Sequence, residues 1–327
     1  MDYEAVVREP DAFQQPAPPD RIEAICRRAF GSRAVVRRAV ELGGGTYNST
    51  YRLEFDAGDP LVLRVAPAPH RPADAGLRNE YAAAPYFAAL GPRAPRTIAA
   101  DFTHQVLDRD YLLQTVVPGV PATPGLRAYS PDKWGAFYRS LGAVTRVVHE
   151  VRGPGFGRVA GPLHATWSQA LSAQLSELAC EFERAGLDAS PVWHIVAAVE
   201  THRYALDRVA EPRLLHGDLW TLNVLIDPSD AEPTVSGVLD FDAASWGDPL
   251  ADWPIHQARN RAGTEVDTFW AGYGPVADDA DAVVRQQFYL ARSRAGARLD
   301  IHRRGIDLAT VPPKHWDLTD IVAGLST

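Results

Sequence analysis

Lysine is almost missing from this sequence of 327 residues, in which only Lys133 and Lys314 accompany 31 arginines. A catalytic role that is usually given to lysine would therefore fall to arginine. Cysteine is equally scarce, because the chain contains only Cys26 and Cys180. Two thiols cannot build a disulfide framework or a metal cage of thiolates, which agrees with a reducing compartment.

Long hydrophobic runs are also lacking. The longest apolar stretches, such as residues 111–117, are far shorter than the roughly 18 to 20 residues that a bilayer requires. The first 20 residues mix acids, glutamine and proline without the basic start and apolar run of a secretory signal. We therefore expect a cytoplasmic protein with no membrane partner.

The charge balance is acidic, with a formal net charge of −8. Binding to a phosphate backbone needs clustered positive charge, so we expect no nucleic-acid partner. The content of 46% hydrophobic and 23% charged residues is that of a globular protein, and it excludes disorder of the whole chain. The length allows one large domain or two lobes.

The first third of the chain has the pattern of a strand-rich lobe. We expect a flexible arm over residues 1–19 and an N-terminal lobe over residues 20–117. Its predicted helices cover residues 20–30, capped by Asp20 and ended by Gly31, and residues 78–90. Its predicted strands cover residues 35–42, 47–55, 61–65, 96–100, 104–107 and 111–116.

The remainder, residues 118–327, has the pattern of a mainly helical lobe. Helical spacing begins after Ser130 and Pro131, which form a helix start. Further helices are predicted over residues 167–185, 191–209, 250–261 and 280–298. Residues 214–242 contain short apolar runs split by a turn at residues 227–230, which predicts a hairpin among the helices. The whole chain is thus predicted to be an α+β protein.

One segment of this helical part carries a specific chemical pattern. His216, Asp218 and Asn223 are spaced as His-x-Asp-x4-Asn, and Asp240 and Asp242 follow within one strand-like stretch. Phosphoryl transfer needs a carboxylate that accepts a hydroxyl proton, and oxygen ligands that hold Mg²⁺ against nucleotide phosphates. Asp218, Asn223 and Asp240 supply these groups. The alternative is that the three are capping and turn residues.

This segment resembles the catalytic loop and metal-binding motif of the aminoglycoside phosphotransferase family, the small-molecule branch of the protein-kinase-like fold. The resemblance implies a two-lobed fold in which an antiparallel β-sheet lobe with a helix binds the nucleotide. It implies that Asp218 is the catalytic base, that Asn223 and Asp240 bind Mg²⁺, and that His216 braces the loop. For His216 itself, a packed histidine hydrogen-bonded to backbone is the preferred interpretation. Asp248 and Asp252 suit a helix N-terminal acid and a loop anchor.

Glycines precede a predicted strand at the position where this family covers the nucleotide phosphates. The cofactor-binding candidates are Gly43, Gly44, Gly45 and Asn48, whose backbone amides can approach phosphate oxygens closely. Asn48 takes the place of the third glycine of the protein-kinase pattern, and it tolerates positive φ. A simple hairpin turn would explain the same residues.

The resemblance also implies a cationic side chain that binds phosphate and a hinge segment that contacts the nucleotide base. Arg64 takes the place of the family's phosphate-binding lysine, and Glu80 would be its helix partner. Gln114 and Val116 lie in the segment that would meet a purine edge. The alternative for Arg64 is a surface arginine. The alternative for Gln114 and Val116 is an ordinary strand end.

The activity implied is transfer of the γ-phosphate of Mg-ATP or GTP to a hydroxyl group of a small molecule. The acceptor would be an aminoglycoside-type antibiotic or a related compound, in which case the protein would confer antibiotic resistance. Alternatives are a kinase of a sugar, amino alcohol or nucleoside, a nucleotide-binding regulatory pseudokinase, and a metal-dependent hydrolase that uses His216, Asp218 and Asp240. Oligomeric state stays open.

Candidate residues for the acceptor site fall in the helical part. Trp246, Trp253, Trp270 and Tyr273 could stack on a ring, although such aromatics are more often core residues. The acids Asp278, Asp279 and Asp281 could attract a polycation. Several arginines follow these acids in the sequence and argue against a uniformly acidic wall of the acceptor site. They are Arg285, Arg292, Arg294, Arg298, Arg303 and Arg304.

Overall fold

A computed structural model of the chain describes residues 1–8, 14–32, 34–43, 45, 47–67, 76–276 and 278–325. Its strands are β1 Asp2–Glu4, β2 Val36–Glu41, β3 Ser49–Phe55, β4 Leu61–Val65, β5 Thr97–Asp101, β6 Tyr111–Thr115, β7 Val120–Pro121, β8 Phe156–Arg158, β9 Leu163–His164, β10 Arg213–Leu215, β11 Val224–Ile226, β12 Val235–Val238 and β13 Ser245–Gly247. Its α-helices are α1 Pro19–Phe30, α2 Gly76–Ala83, α3 Ala122–Gly125, α4 Trp134–His149, α5 Trp167–Arg184, α6 Ser190–Thr201, α7 Arg203–Asp207, α8 Trp253–Asn260, α9 Thr268–Tyr273, α10 Ala280–Arg303 and α11 Thr319–Leu325.

Short 3-10 helices complete the regular structure, at Ala84–Arg93, Leu126–Ala128, Pro131–Lys133, Pro249–Ala251, Glu265–Asp267, Leu308–Thr310 and Pro313–His315. The predicted α+β class is confirmed by this mixture of strands and helices. Across the described ranges, no helix has an apolar stretch long enough to cross a bilayer.

The chain forms two compact units. Unit 1 comprises Met1–Ser140 and Asp218–Ala244, and unit 2 comprises Leu141–Gly217 and Ser245–Thr327. These units divide the chain at other places than the predicted lobes, whose boundaries stay a prediction.

Unit 1 contains a six-stranded sheet in the order β1-β2-β3-β4-β6-β5. The antiparallel pairing of β2, β3 and β4 agrees with the prediction. Strand β1 pairs in parallel with β2 and was not predicted from the sequence. One face of the sheet packs on α1, because β-strands alternate their side chains and Leu53, Leu63 and Val65 share a buried cluster with Ile22 and Ile25.

The predicted hairpin of residues 214–242 is also present in unit 1. β11 pairs antiparallel with β12, and Val224 lies opposite Val238. β11 pairs on its other edge with β7, so the three strands form a small sheet of their own.

Several predicted elements of unit 1 were wrong in extent or kind. The helix predicted over residues 78–90 ends as an α-helix at Ala83, since Pro85 has no N–H donor and its ring opposes a helix interior. Asp20 does not cap α1 but lies in its first turn, where the helix dipole favours an acid. The strand predicted over residues 104–107 is a loop. The ring of His104 in this loop and the guanidinium of Arg78 in α2 both bond to buried Asp110.

Unit 2 combines helices with a four-stranded sheet in the order β10-β13-β8-β9. Its core contains large buried side chains such as Trp167, Trp246 and Phe288. The helix predicted over residues 191–209 is divided into α6 and α7 at His202, whose ring bonds to the carbonyl of Leu325.

A fully buried carboxylate, Asp252, organises the centre of unit 2. It accepts hydrogen bonds from the backbone N–H groups of His216 and Gly217 at 2.9 Å, and its Oδ2 lies 3.1 Å from Nε2 of His149. Burial by itself raises the pKa of Asp252, but these contacts outweigh it and lower the pKa to about 2. The predicted role of a loop anchor is thereby confirmed for Asp252.

Asp248 has a similar structural role in the same unit. It caps the 3-10 helix Pro249–Ala251 through the N–H of Leu250. Its Oδ2 accepts hydrogen bonds from Nε of Arg285 at 2.9 Å and from the hydroxyl of Tyr289 at 2.6 Å. The predicted helix N-terminal acid is confirmed.

We expect Asp252→Asn to lower the free energy of unfolding by about 2 kcal/mol at pH 7, because ionised Asp252 has a depressed pKa in the folded chain. A depressed pKa contributes stability to the folded chain at pH values above the ordinary pKa of 3.8. That stability disappears as the pH falls toward about 2. Urea unfolding of both proteins at pH 7, 4 and 3 measures the difference, which should shrink as the pH falls.

Asp300→Asn is the matched control, since Asp300 is half-exposed and its ion pair is with Arg304, just past the end of α10, at 3.4 Å. It should leave the unfolding free energy near that of the unsubstituted protein. A pH-independent loss for Asp252→Asn would contradict the assigned role.

Candidate functional site

Arg64 lies in β4, between β3 and β6 of the unit 1 sheet. Leu63 and Val65 on either side of it belong to the core cluster, so strand alternation directs Arg64 to the opposite face. Its side chain is nevertheless buried, with 7% of the residue exposed. A surface arginine on an edge strand, the alternative considered above, is therefore excluded.

The guanidinium of Arg64 contacts two carboxylates at once. Nη1 lies 2.7 Å from Oε2 of Glu80, and Nη2 lies 2.6 Å from Oδ1 of Asp240. The predicted pair of Arg64 and Glu80 is thus present. Burial opposes the charge on Arg64, but Asp240 and Glu80 together raise its pKa, so the guanidinium stays protonated.

Glu80 projects from α2 and is fully buried. Besides Arg64 it accepts a hydrogen bond of 2.8 Å from Nε2 of Gln114 in β6. Three separate elements, β4, α2 and β6, therefore contribute side chains to one polar network on the face of the sheet opposite α1.

Asp240 reaches this network because the chain turns sharply after β12. It adopts φ of +69°, a left-handed conformation that Asp tolerates better than most residues. The next residue, Phe241, stacks on Phe87 with ring centroids 3.9 Å apart. The amide of Asn79 donates to the carbonyls of Asp242 and Ala244 at 2.8 Å, so α2 holds the segment in place.

Asp218 and Asn223 lie in the loop before β11 and are joined to each other. Nδ2 of Asn223 donates to both the carbonyl oxygen and Oδ2 of Asp218, each at 2.9 Å. With both amide hydrogens directed to Asp218, the Oδ1 oxygen of Asn223 is the atom left for a cation.

Acidic side chains outnumber basic ones around Arg64. Burial raises the pKa of Asp242 well above its ordinary range, and the carboxylate of Asp240 raises it further. Glu80 and Asp218 add to that effect, and Arg64 only partly opposes it. The cluster therefore suits a further cation.

The donor types in this cluster are those that Mg²⁺ prefers: carboxylate and amide oxygens. Among the described residues, no group of three His, Cys, Asp or Glu side chains could hold a metal ion by itself. Mg²⁺ is commonly bound by one or two carboxylates together with substrate phosphates and water, so the donors fit an ion that arrives with a nucleotide.

The predicted glycine loop connects β2 and β3. Leu42 and Thr50 are joined across its base by a backbone hydrogen bond of 2.7 Å. Within it, a Cβ atom on Gly45 would lie 3.3 Å from the carbonyl oxygen of Asn48, so the chain turns tightly here. Gly44 lies outside the described residues.

The two hinge candidates have different surroundings. The side chain of Gln114 belongs to the Glu80 network, a contact that the sequence did not predict. Val116 instead lines a cleft of about 670 Å³ in unit 1, together with residues such as Phe30, Ile98 and Pro118. Contact of this segment with a purine stays a prediction.

His216 is fully buried in unit 2, and its backbone N–H is one of those held by Asp252. This agrees with a packed histidine that helps fix the loop leading to Asp218.

Two residues that hold the site were not predicted from the sequence, Asn79 and Phe87. Asn79 follows Arg78 in a predicted helix, and a polar residue one position before Glu80 was the available signal. For Phe87 the sequence offers no signal, because its partner Phe241 is distant along the chain.

Solved structures of kinase-like proteins resemble most of the chain. A thermostable mutant of aminoglycoside phosphotransferase APH(4)-Ia, in a ternary complex with AMP-PNP and hygromycin B, is 19% identical, with a TM-score of 0.64 over 94% of this chain and 99% of that one. A Ralstonia eutropha protein provisionally named an aminoglycoside phosphotransferase is 16% identical, with a TM-score of 0.62 over 94% and 96%. The GDP and kanamycin complex of APH(2")-IIIa is 16% identical, with a TM-score of 0.60 over 93% and 98%.

These similarities confirm the kinase-like fold. A search of curated proteins finds no match to the sequence. The model of the phosphotransferase enzyme family matches residues 38–285, which include the glycine loop, Arg64, and the segment from His216 to Asp242. The chain therefore belongs to the aminoglycoside phosphotransferase family of phosphotransferase enzymes.

Proposed function

We propose that this protein transfers the γ-phosphate of ATP or GTP, bound with Mg²⁺, to a hydroxyl group of a small molecule. The acceptor is an aminoglycoside-type antibiotic or a related hydroxyl compound. Such a reaction draws on cellular nucleoside triphosphates, which suits the cytoplasm.

The observation that carries this proposal is the double ion pair of Arg64. A buried cation joins the helix carboxylate Glu80 to Asp240, which the family resemblance assigns to the metal, within 2.7 Å and 2.6 Å. A hydrolase based on His216, Asp218 and Asp240 would give Arg64, Glu80 and the glycine loop no role.

Asp218 is the proposed catalytic base. Phosphoryl transfer depends mostly on positioning and on electrostatic stabilisation, so the carboxylate has to orient the acceptor hydroxyl and accept its proton. The bonds from Asn223 to Asp218 fix that carboxylate relative to its loop.

The phosphates would meet cationic and amide groups from unit 1. Arg64 would neutralise phosphate charge, and the backbone amides of Gly43, Gly44, Gly45 and Asn48 would cover it. Bound Mg²⁺, held by Asp240 and Asn223, would offset the charge that develops on the transferred group. The similar proteins described above include an AMP-PNP complex and a GDP complex, so both purine nucleotides are candidates.

Most of the charged residues considered for the acceptor site contact other residues of unit 2. Asp278 pairs with Arg259, and Asp279 caps α10. The arginines of α10 bind carboxylates, side-chain or backbone oxygens, or aromatic rings; examples are Arg285 with Asp248, Arg292 with Gln174, Arg294 with the carbonyl of Asp317, Arg298 over Trp316, and Arg303 with Glu181. Asp248 and Glu181 offset the charges of Arg285 and Arg303, whereas the partners named for Arg292, Arg294 and Arg298 are uncharged, so these three still count against a uniformly acidic acceptor wall.

The aromatic candidates for the acceptor site differ in burial. Trp246 is buried in the core of unit 2, with 1% exposed. The hydroxyl of Tyr273 is bonded to His149 at 2.8 Å, and its ring stacks on Phe269 with centroids 5.5 Å apart. Trp253, Trp270 and Tyr273 are each partly buried, so all three remain candidates for stacking on an acceptor ring.

We expect a gain of one phosphate by a hydroxyl compound when the protein is incubated with Mg²⁺ and ATP or GTP. Mass spectrometry of a mixed panel of aminoglycosides, other antibiotics, sugars, nucleosides and amino alcohols detects the product and identifies the acceptor class. Nucleotide binding without transfer to any member of the panel would instead support a regulatory pseudokinase.

We expect Asp218→Asn to reduce kcat by at least about 100-fold, because the amide cannot accept the hydroxyl proton. Nucleotide affinity should stay near that of the unsubstituted protein. Steady-state kinetics and calorimetric titration with AMP-PNP or GMP-PNP measure the two effects. Asp230→Asn, in an exposed turn of the same unit, is the control, and near-normal turnover of Asp218→Asn would show that the base is misassigned.

We expect Asp240→Asn to abolish the Mg²⁺-dependent part of nucleotide binding, since an amide is a weaker ligand for a hard cation. Asn tolerates the positive φ of this position, so the backbone should be preserved. Calorimetric titration of AMP-PNP or GMP-PNP with Mg²⁺ and with EDTA separates the metal-dependent part. An unchanged response to Mg²⁺ would remove Asp240 from the proposed metal site.

A further inference from the structure

The described residues 1–8 of the N-terminal segment lie along β2, the strand that leads into the glycine loop. β1 pairs in parallel with β2, and Glu4 lies opposite Val40. Beyond β1, the N–H of Val6 donates to Oε2 of Glu41 at 2.9 Å, and Nη1 of Arg8 lies 2.8 Å from Oε1 of the same residue. Glu41 is the buried last residue of β2, so this N-terminal segment fixes the entry to the loop.

Val6 also contacts the first glycine of the loop. A Cβ atom on Gly43 would lie only 3.2 Å from Cγ2 of Val6. Glycine at this position therefore allows the N-terminal segment to approach the loop backbone closely.

Gln14 makes the most specific contacts between the N-terminal segment and the loop. Its Nε2 donates to the carbonyl oxygen of Gly45 and to that of Asn48, each at 3.1 Å. A glutamine amide has two N–H donors, so both are used on the residues that bracket the turn of the loop.

The backbone around Gln14 is itself held in place. The hydroxyl of Ser49 and Nη1 of Arg109 both donate to the carbonyl of Gln15, at 3.2 Å and 2.8 Å. The N–H of Ala17 donates to the hydroxyl of Tyr51 at 2.7 Å in the buried interior. The backbone on the C-terminal side of Gln14 is thus held by hydrogen bonds within unit 1.

These contacts act on the orientation of peptide groups. A phosphate oxygen is attracted by backbone N–H groups and repelled by carbonyl oxygens. By binding the carbonyls of Gly45 and Asn48, Gln14 favours the loop conformation in which these oxygens are satisfied by protein and do not turn toward phosphate. We infer that Gln14 is a positioning residue for nucleotide binding, an inference that rests on the proposed function.

The test uses two substitutions of the full chain, Gln14→Ala and Gln14→Glu. The glutamate has nearly the same length but no N–H donor, and it would repel both carbonyls. Loss of two neutral hydrogen bonds should weaken binding of AMP-PNP or GMP-PNP with Mg²⁺ by about 10-fold. The KM for the nucleotide should rise equally, whereas kcat and the KM for the acceptor should change less than about two-fold.

Gln105→Glu is the matched control, because Gln105 is a glutamine of the same unit whose Oε1 accepts a bond from Arg28 at an exposed site. It should leave nucleotide affinity unchanged. Thermal unfolding checks that both Gln14 variants fold, and if the alanine variant does not, the glutamate variant carries the test.

Three results would overturn the inference. Unchanged nucleotide affinity in both Gln14 variants would do so, and a lower thermal midpoint with unchanged affinity would assign Gln14 a purely structural role. If the unsubstituted protein binds neither analogue, the proposed function fails as well, so the two failures are distinguishable.

Discussion

A single arginine side chain between two carboxylates from distant parts of the sequence is the contact on which unit 1 depends. Arg64 contacts Glu80, 16 residues away, and Asp240, 176 residues away. A planar guanidinium can present two N–H edges to two anions, whereas the ammonium of lysine is a compact point charge. Arginine at this position therefore joins β4, α2 and the segment after β12 in one bonded group.

Burial makes this arrangement sensitive to its partners. A buried cation without a counter-ion is strongly destabilising, so Arg64 in the interior requires the carboxylates that surround it. Those carboxylates in turn exceed it in number, since Asp218 and Asp242 act on the same small region. Burial and the neighbouring carboxylates accordingly raise the pKa of Asp242, which Arg64 only partly opposes.

Unit 2 uses buried carboxylates for another purpose. Asp252 and Asp248 are each saturated with hydrogen bonds from backbone, histidine, arginine or tyrosine groups. Their charges are compensated, and they anchor the loop at His216 and the helix that follows. The chemical difference between Asp240 and Asp252 is therefore one of partners, because the side chains are identical.

The strand and loop pattern around Arg64 was predictable from the sequence, because apolar alternation over residues 61–65 and a glycine-rich turn are local signals. The spacing of His216, Asp218 and Asn223 is equally local, and these residue types in that order indicate phosphoryl-transfer chemistry. The hydrogen bond from Gln114 to Glu80 and the bonds from Gln14 to the glycine loop had no such signal, since nothing near either glutamine in the chain identifies its partner.

The sequence by itself determined the class of the fold, the family, and the residue types available for phosphoryl transfer. Only the tertiary structure decided that Arg64 is shared between Glu80 and Asp240, that residues 104–107 form a loop around Asp110, and that the arginines of α10 are engaged. The physical reason is that hydrophobic periodicity and motif spacing act between near neighbours in the chain, whereas the partner of a buried charge is selected by packing among segments far apart in sequence.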